Sequence, residues 1–542
     1  MRMHVKRLIL LLLGGMGVTF LLLLLPNQEH LLNTGGSSSA QDRGAEGSGR
    51  LTQQQLSAAN RILSRKLRKK SRESPGASDA DADKYPPPQE DYQRRDVNGE
   101  FRPDVANRQV DRKLIRLLRA YMKPWRDTTA ETLDRMECPH RQTLNERWMQ
   151  KNGVAWATDD SWERFYAQIG SCDVYRPGDS PVVQQVLDDI ATMPIKRTEI
   201  MDGGTQVKLL ITFENGKQAV FKPMRYGRHY ETDPNHFYFS DFERHWAEIA
   251  CYHLDKVLGL RQSVPVVGRV FNLSSEILAT ADKDLAKTFF ISPFKNRCFV
   301  GKCDYYCDTT HAICGKPDLK EGSLQVFLPD DEAVPRRHKK SPYRRTYSKK
   351  RQVADWETDM NYCDTNVKTL ERFAHGRQLL ELTELHIFDF LTGNQDRHHL
   401  ETFSIFHEDP SFFLFLDHGR AFGRPNWDDL TILLPLAQCC VLRPSFLRTL
   451  VDFYEGSRRT LSQALYESMS ADPVAPILSP KHYPALERRL HIVLSTVLNC
   501  IQKAGDPRRV IMTEYHNPSV TLKTPWPRTR ARTDNETTDS GN

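Results

Sequence analysis

The positions of the cysteines restrict this chain more than any other feature. Eleven cysteines occur, of which ten lie between Cys172 and Cys500 and one, Cys138, lies upstream. Such a number is typical of a domain that folds in an oxidising compartment, where most cysteines form disulfides. A zinc site is the alternative for one closely spaced group: Cys298, Cys303, Cys307 and Cys314. Because the loops of this group do not follow zinc-finger spacing, we expect disulfides there too.

An uncharged apolar run at residues 8–25 is just long enough to span a bilayer. Arg2, Lys6 and Arg7 precede it, and positive charge tends to remain cytosolic. We therefore expect a cytosolic tail at 1–7 and a lumenal location for everything after the run. The alternative is a cleaved signal peptide. No small-residue cleavage site follows the run, which favours an uncleaved signal-anchor transmembrane helix.

Composition divides the rest of the chain into three parts. Residues 26–105 are rich in Ser, Gly, Gln, Asp and Pro, and this composition predicts a disordered stem or propeptide. Periodic apolar residues predict a folded domain over 106–505, and a polar tail follows at 506–542. Because the stem should be open to proteases, we expect cleavage near 60–72 and a secreted form. Asn272 and Asn535 are glycosylation acceptors in form: each begins an Asn-x-Ser/Thr triplet.

The net charge is +7, and basic residues cluster at 65–70 and at 336–351. A lumenal protein rarely meets nucleic acid, so we expect no nucleic-acid partner. Acidic protein substrates, anionic glycans or processing proteases are better partners for these runs. A solvated flexible loop is the alternative interpretation of each run.

Local patterns predict the elements of the folded part. A turn at 214–217 contains Asn-Gly between two apolar strands, which is a strong hairpin pattern. Residues 241–258 repeat apolar side chains at helical spacing, 379–391 form a second helix, and 412–416 form a short buried strand. After Pro444 the pattern is helical almost throughout. A β-rich first half followed by a helical second half predicts a two-lobed α+β protein.

Two aspartates have the spacing of a phosphotransferase. Asp396 lies in a polar loop after an apolar helix, where a carboxylate can accept the proton of a substrate hydroxyl. A helix-terminating loop with local backbone bonds is the alternative. Asp417 follows the predicted strand and precedes His418-Gly419. Protein kinases have a metal-binding Asp-x-Gly about twenty residues after the catalytic Asp, so this pair predicts phosphoryl transfer.

Lys222 ends the second hairpin strand, where a lysine that binds nucleotide phosphates would lie, although many such lysines are only surface residues. Glu243 and Glu248 are five positions apart, about 140° around a helix. One of them can therefore face the cleft while the other faces solvent, and the pattern does not say which. Kinases carry a metal-binding Asn five residues after their catalytic Asp. In this chain Glu401 stands five residues after Asp396. An added carboxylate suits a hard divalent cation.

Together these residues resemble the secretory-pathway kinase family that contains the Golgi casein kinase, the proteoglycan xylosyl kinase and a pseudokinase. The similar stretches are GGTQVKL, FKPMRY, FERHWAEIA, CFVGKCDYYC, EGSLQVFLP, GNQDRHHLETF and LDHGRAFG. The resemblance covers residues 161–505. It implies an α+β, two-lobed, atypical protein-kinase-like fold with a β-rich N-lobe and a helical C-lobe, held by disulfides.

The resemblance also implies roles by position. It makes Asp396 the catalytic base, and it makes Glu243 and Asp417 the metal ligands, which decides between Glu243 and Glu248. The cation is Mn²⁺, with Mg²⁺ as the alternative, and ATP is the phosphate donor. The implied nucleotide-binding residues are Gln206, Lys222, Gln325, Val326, Phe327, Leu328, Glu401 and Asp417. The implied disulfides are Cys298–Cys314, Cys303–Cys307, Cys363–Cys439 and Cys440–Cys500. This leaves three cysteines unassigned: Cys138, Cys172 and Cys251.

Three functions stay open at this level. The first is an ATP-dependent lumenal or extracellular Ser/Thr protein kinase that acts on acidic Ser-x-Glu-type sites of secreted proteins. The second is a glycan kinase acting on the xylose of a proteoglycan linker, and the third is a pseudokinase-type activator of a related kinase. Phe289–Pro293 and the gap between Cys303 and Cys307 resemble the casein-kinase branch, and Glu243 is absent from the pseudokinase, so the first is favoured.

The same resemblance implies a location and partners. The chain is expected in the Golgi membrane as a type II protein with a lumenal catalytic domain, and outside the cell after stem cleavage. A second copy of the chain or a family paralogue is a candidate partner.

Overall fold

The computed structural model describes residues 109–156, 158–233, 237–329, 334–347, 353–404 and 411–521. The expected cytosolic tail, the anchor at 8–25 and the stem at 26–105 lie outside these residues, as does Asn535. Within the described ranges, no helix is long and apolar enough to cross a membrane. All described residues belong to one compact unit, Pro86–Asn542.

Among the described residues, five helices precede the sheet, and the sequence patterns did not predict them individually. They are α1 (Arg112–Tyr121), α2 (Ala130–Glu137), α3 (Leu144–Asn152), α4 (Ser161–Gln168) and α5 (Ser180–Thr192). Helices α1 to α4 each begin at a side chain that accepts backbone N–H groups, which satisfies donors that a helix start otherwise leaves unpaired. These capping residues are Asp111, Thr129, Thr143 and Asp160.

An antiparallel sheet of five strands carries one wall of the site. Its strands are β1 (Ile195–Met201), β2 (Lys208–Phe213), β3 (Gln218–Pro223), β4 (Val266–Asn272) and, later in the chain, β8 (Leu319–Val326). Their order is β1-β2-β3-β8-β4. The predicted hairpin is confirmed as β2 and β3, and Gly216 in its turn has a φ of +80°, which glycine adopts without strain.

The remaining strands are short. A three-stranded sheet contains β5 (Phe290–Ile291), β6 (Arg297–Phe299) and β7 (Ile313–Cys314). Two two-stranded ribbons pair β9 (Arg336–Lys340) with β11 (His399–Phe403), and β10 (His375–Gly376) with β12 (Tyr515–His516).

Further helices follow β3 along the chain. They are α6 (His245–Leu258), α7 (Lys283–Ala286), α8 (Asp355–Thr358), α9 (Glu371–Ala374), α10 (Gln378–Thr392), α11 (Leu434–Cys439), α12 (Pro444–Glu455), α13 (Leu461–Met469) and α14 (His482–Ala504). Helix α6 packs against β4 and β8 on one side and α13 on the other, so it joins the sheet to the helices. All 15 residues of α10 are buried, and Gly393 ends that helix with a left-handed φ of +74°.

Two predicted boundaries and one predicted strand differ from the structure. Helix α6 begins at His245 rather than at 241, because the Asp241 carboxylate binds Arg244 and Thr232 instead of capping the helix. Residues 412–416 are largely buried as predicted, yet they form only isolated bridges, at Leu414 and Phe415, rather than a regular strand. The fold also continues past residue 505, since Val510 and Ile511 are buried and β12 pairs with β10.

Five disulfides hold the fold together. They are Cys138–Cys172, Cys298–Cys314, Cys303–Cys307, Cys363–Cys439 and Cys440–Cys500. The last four are the pairs that the family resemblance implies. The first joins two cysteines that the sequence left unassigned, and Cys251 is a buried free thiol in α6.

Asn272, a predicted glycosylation acceptor, uses its side-chain oxygen to accept hydrogen bonds from the backbone N–H groups of Ser274 and Ser275.

Candidate active site

A cavity of about 820 Å³ lies between the β2–β3 hairpin, the start of α6, the loop after α10 and the segment that ends at Asp417. Six of the residues that the sequence singled out line it: Lys222, Glu243, Gln325, Asp396, Glu401 and Asp417. Four implied nucleotide residues are not in its wall: Gln206, Val326, Phe327 and Leu328. Gln206 is buried, and no hydrogen-bond partner for its amide nitrogen occurs in the described part of the chain.

Lys222 stands at the centre of three carboxylates on one side of the cavity. Its Nζ lies 2.6 Å from Glu248, 3.0 Å from Asp417 and 3.4 Å from Glu243. Burial disfavours the ammonium, but Asp417 and the two glutamates outweigh that cost and raise the pKa of Lys222 well above its usual value. The same ammonium holds the pKa of Asp417 well below its usual range. Lys222 and Asp417 are therefore both charged at neutral pH.

Both glutamates reach this cluster, so the prediction that one of them faces solvent is wrong. The helical angle does not apply, because Glu243 lies before the first residue of α6 and only Glu248 lies within it. Glu248 is buried, and its two carboxylate oxygens also accept the backbone N–H of His418, each at 3.1 Å. Glu243 faces the cavity and accepts a hydrogen bond from Thr205 at 3.0 Å.

The chain turns sharply where it presents Asp417. This residue has a φ of +57°, a conformation that a residue with a side chain rarely adopts, and strain of this kind is common at functional sites. Two residues later, a Cβ on Gly419 would lie 2.7 Å from the Cβ of Glu243. Glycine at this position lets the Asp417 turn and the Glu243 segment come into contact.

The carboxylates of Glu243, Glu248 and Asp417 form a suitable cation site. One oxygen from each lies within 4.8 Å of the others. Hard divalent cations such as Mn²⁺ and Mg²⁺ prefer carboxylate oxygens, so this donor set fits the implied metal. Asp417 is the most accessible of the three, with 61% of its side chain exposed at the cavity, whereas Glu248 is 3% exposed.

Asp396 lies on the other side of the cavity in different surroundings. Its side chain is 9% exposed and forms an ion pair with Arg420. His398 lies 3.2 Å away through Nδ1, and the hydroxyl of Tyr347 donates to the same carboxylate oxygen, Oδ1, also at 3.2 Å. Burial lowers the pKa of His398, which favours a neutral imidazole at this position.

Buried polar contacts fix the loop that carries Asp396. The backbone N–H of Asp396 donates to the Asn394 side chain at 3.0 Å, and Asn394 donates to Asp389 of α10 at 3.2 Å. Arg397 binds Asp389 through two nitrogens at 2.8 Å and also donates to the carbonyl of Leu416 at 2.6 Å. Arg397 therefore ties the Asp396 loop to the segment that presents Asp417.

Glu401 lies on β11 opposite His338 of β9, and its carboxylate is 3.1 Å from Arg336. It faces the cavity, but it is not part of the three-carboxylate cluster.

Sequence reasoning missed the roles of Thr205, Lys208, Tyr347 and Arg420, which all line the cavity. Arg420 bonds Asp396 and also donates to Thr205 at 3.2 Å, and Thr205 donates to Glu243. This chain of contacts links the two sides of the cavity. Arg420 lies in the stretch LDHGRAFG, which resembles the kinase family, so the sequence marked it as a residue near the site. No local pattern, however, predicts that it pairs with Asp396, 24 residues earlier in the chain.

Known proteins are similar to this chain in sequence and in fold. Residues 160–509 match the family model described as Golgi casein kinase, C-terminal, Fam20. The chain is 58% identical over 390 residues to the extracellular serine/threonine protein kinase CeFam20 of Caenorhabditis elegans. This match covers 72% of this chain and 75% of the relative. It is 43% identical over 369 residues to human extracellular serine/threonine protein kinase FAM20C, and this match covers 68% of this chain and 62% of the human protein. The match thus spans a little less than two thirds of the human relative.

A solved structure shows the same architecture. The Golgi casein kinase crystallised with Mn/ADP bound has a TM-score of 0.73 and 54% identity, and the match covers 79% of this chain and 98% of the solved one. A more distant relative is the human glycosaminoglycan xylosylkinase, 36% identical over 381 residues, which covers 70% of this chain and 90% of that enzyme.

Proposed function

We propose a function from one premise: the chain belongs to the Fam20 family of Golgi casein kinases. It is a phosphotransferase. We infer that it transfers the γ-phosphate of ATP to Ser or Thr hydroxyls of secreted proteins, with Mn²⁺ bound. The observation that carries this inference is that Asp396, Asp417 and Lys222 line one cavity, with the two aspartates in different surroundings.

In this proposal the two sides of the cavity divide the work. Glu243, Glu248 and Asp417 would hold the cation, which supplies positive charge next to the phosphates when bound. Lys222, on β3, would bind phosphate oxygens. Asp396 would orient the acceptor hydroxyl and accept its proton, while Arg420 keeps the carboxylate in place. Such catalysis depends mainly on positioning and electrostatics, because phosphoryl transfer requires little covalent chemistry from the protein.

The basic run at 336–351 divides into groups with different uses. Arg345, with 12% of its side chain exposed, forms ion pairs with Glu357 at 2.6 Å and Asp429 at 2.9 Å, so it supports the fold. Arg336 pairs with Glu401. Lys340 lies opposite His399, a residue of the cavity wall, and Arg344 acts electrostatically on the same histidine.

We infer that Lys340 and Arg344 bind the acidic residue of a Ser-x-Glu-type site. Within the described ranges, neither forms an ion pair with a carboxylate, so both are available to a substrate. Arg337 and Lys339 are the matched controls. Strand neighbours point to opposite faces, and these two residues lie on the face of β9 opposite to Lys340.

A transfer assay with the purified full chain, ATP and Mn²⁺ tests this proposal. We expect phosphate transfer to a Ser-x-Glu peptide, weaker transfer to its Ser-x-Ala counterpart, and a steep decrease with salt. The double variant Lys340→Gln/Arg344→Gln should raise the peptide KM about tenfold, whereas Arg337→Gln/Lys339→Gln should change it little. Equal effects of the two double variants would contradict the assignment of the acidic site.

A glycan kinase is the second candidate, because the chain is also similar to the human glycosaminoglycan xylosylkinase. A xylose-bearing tetrasaccharide belongs in the same assay. Transfer to the tetrasaccharide but not to the peptide would favour the glycan kinase over the protein kinase.

We also propose that the enzyme works in the lumen of the secretory pathway and outside the cell. Five disulfides in a single domain support this location, because reducing compartments do not sustain them. The signal anchor and the cleavage near 60–72 stay predictions. N-terminal sequencing of secreted protein tests both, since a start near residue 26 would indicate a cleaved signal peptide.

A further inference from the structure

The hydroxyl of Tyr347 lies where the acceptor hydroxyl of a kinase substrate is expected. It donates to Oδ1 of Asp396 at 3.2 Å, and Tyr347 is part of the cavity wall. In kinases the carboxylate at this position accepts the hydroxyl proton of the substrate. Tyr347 therefore makes the contact that a serine or threonine would have to make.

Several side chains contact the ring of Tyr347. It packs edge to face with Phe239 at 4.9 Å and with His398 at 5.8 Å, and the Arg344 guanidinium lies over it at 5.3 Å. Burial raises the pKa of Tyr347 well above its usual value, so the phenol keeps its proton at neutral pH. It is a neutral O–H donor, as a serine hydroxyl is.

Asp396 does not depend on Tyr347 for its orientation. Arg420 forms an ion pair with its second oxygen, Oδ2, and His398 lies 3.2 Å from Oδ1. The backbone N–H of Asp396 is held by Asn394. If the phenol moves away, these contacts keep the carboxylate in place, and the position next to Oδ1 becomes free for another hydroxyl.

We propose that Tyr347 is a placeholder for the acceptor hydroxyl and sets the selectivity of the enzyme for its acceptor over water. The inference rests on the proposed function. An acceptor displaces the phenol, its oxygen bonds to the γ-phosphorus of ATP, the bond to the ADP oxygen breaks, and Asp396 takes the hydroxyl proton. Water in the same position would give ADP and inorganic phosphate by the same steps, and Tyr347 keeps that position filled while no acceptor is bound.

Arg344 connects this placeholder to substrate recognition. Its guanidinium lies over the Tyr347 ring, and we assigned the same side chain to the acidic residue of the substrate. A carboxylate that binds Arg344 draws the cation away from the ring and removes one of the contacts that hold the phenol. An acidic acceptor therefore helps to clear the position that its own hydroxyl then takes.

The variant Tyr347→Phe tests the placeholder, because it keeps the ring and removes only the hydroxyl. With the full chain, ATP and Mn²⁺, we expect release of inorganic phosphate without an acceptor to rise about two- to tenfold, the range for loss of one hydrogen bond. The peptide KM should fall or stay constant, and kcat for transfer should stay within about twofold of the wild type. The unfolding midpoint should match that of the wild type.

Tyr238→Phe is the matched control. It removes a hydroxyl from the same aromatic cluster, 6.0 Å from Tyr347 between ring centres, but this hydroxyl donates to the carbonyl of Thr346 and not to Asp396. Hydrolysis without acceptor should stay at the wild-type rate in this variant.

Two outcomes would overturn the inference while the proposed function stands. One is unchanged acceptor-free hydrolysis in Tyr347→Phe. The other is a loss of kcat of more than about tenfold at constant KM, which would make Tyr347 a positioning residue for Asp396. Failure of the proposed function is distinguishable, because the wild-type chain would then transfer phosphate to neither the peptide nor the tetrasaccharide.

Discussion

The two sides of the cavity hold their carboxylates in opposite ways. On the side of Lys222, one ammonium lies within 3.4 Å of three carboxylates, and Asp417 is 61% exposed. On the side of Asp396, one carboxylate is 9% exposed and is contacted by Arg420, His398 and Tyr347. The first side has an excess of negative charge, and the second has none.

This difference fits two kinds of partner. Three carboxylates around one lysine leave a net negative charge that a divalent cation can balance, and Lys222 is then available to phosphate. A carboxylate whose charge is already balanced by Arg420 has no need of a cation, but its oxygens still accept hydrogen bonds, which suits a hydroxyl. The cavity thus separates a site for charged groups from a site for a neutral donor.

The largest expected effects come from removing one aspartate from each side. Asp417→Ala should weaken Mn²⁺-nucleotide binding together with turnover, because it removes the most accessible charge of the cation site. Asp396→Ala should leave that binding intact while turnover falls by about 10²–10⁴. Isothermal titration with Mn²⁺ and a non-hydrolysable nucleotide, beside kinetics, separates the two.

Asp202→Ala is the control for these variants, since Asp202 is exposed and, within the part of the chain that the structure describes, its ion pair is with Lys302 at the surface. It should change neither quantity. Near-normal turnover of Asp396→Ala would show that the proposed mechanism is wrong.

Each side of the cavity has a disulfide near it, and the two disulfides should contribute differently to the stability of the fold. Cys440–Cys500 ties α11 to α14 near the helix that carries the Asp396 loop, and its sequence separation is 60. Cys303–Cys307 lies next to the loop at Gly204 and Thr205 and has a separation of 4. Replacing both cysteines by serine should lower the free energy of unfolding by about 4 kcal/mol for the first pair and by about 2 kcal/mol for the second, because the longer loop gains more entropy when it opens.

Urea unfolding of the two double variants measures this difference. Equal losses would indicate that loop length does not govern stability here. Peptide mapping without reduction should link Cys440 to Cys500 and Cys363 to Cys439 in the wild type.

The smallest expected effect is a dependence of the free energy of unfolding on pH. It involves one buried histidine in α6 and one in α10, the helices next to the two sides of the cavity. His253 of α6 and His386 of α10 are buried, and burial lowers the pKa of each to about 3. The unfolded value is near 6.5, so between these values the unfolded chain takes up protons that the folded one does not. The free energy of unfolding should therefore fall as the pH falls from about 6.5, by at most about 1.4 kcal/mol per pH unit for each histidine.

His386→Leu should reduce this slope by the share of one proton, as measured by urea unfolding at several pH values. His140→Leu, at an exposed position, is the control. A slope that stays unchanged in His386→Leu would show that this imidazole does not oppose folding at low pH.

Sequence patterns predicted the parts of this site that depend on neighbouring residues. The Asn-Gly turn predicted the hairpin that ends at Lys222, and apolar periodicity predicted α10 up to Gly393. The polar loop at Asp396 and the Asp417-His418-Gly419 turn followed from the same patterns. These features are local, because turn geometry and helical periodicity are set by residues a few positions apart.

Glu243 and Glu248 show where local reasoning ends. Their angle was derived on the assumption that one helix carries both, but α6 begins two residues after Glu243. Helix starts are set by capping and by packing, and here the Asp241 carboxylate is used by Arg244 and Thr232. A shift of a few residues in one boundary was enough to bring both glutamates to Lys222.

The sequence by itself determined the chemistry of this protein: a lysine on a strand and two aspartates at the ends of buried segments, spaced as in kinases. Only the tertiary structure decided their partners. Arg420 and Tyr347 both reach Asp396, and Cys138 pairs with Cys172. Each of these contacts joins residues 24 to 49 positions apart in different segments, and such pairs meet only because the hydrophobic core fixes where their segments pack.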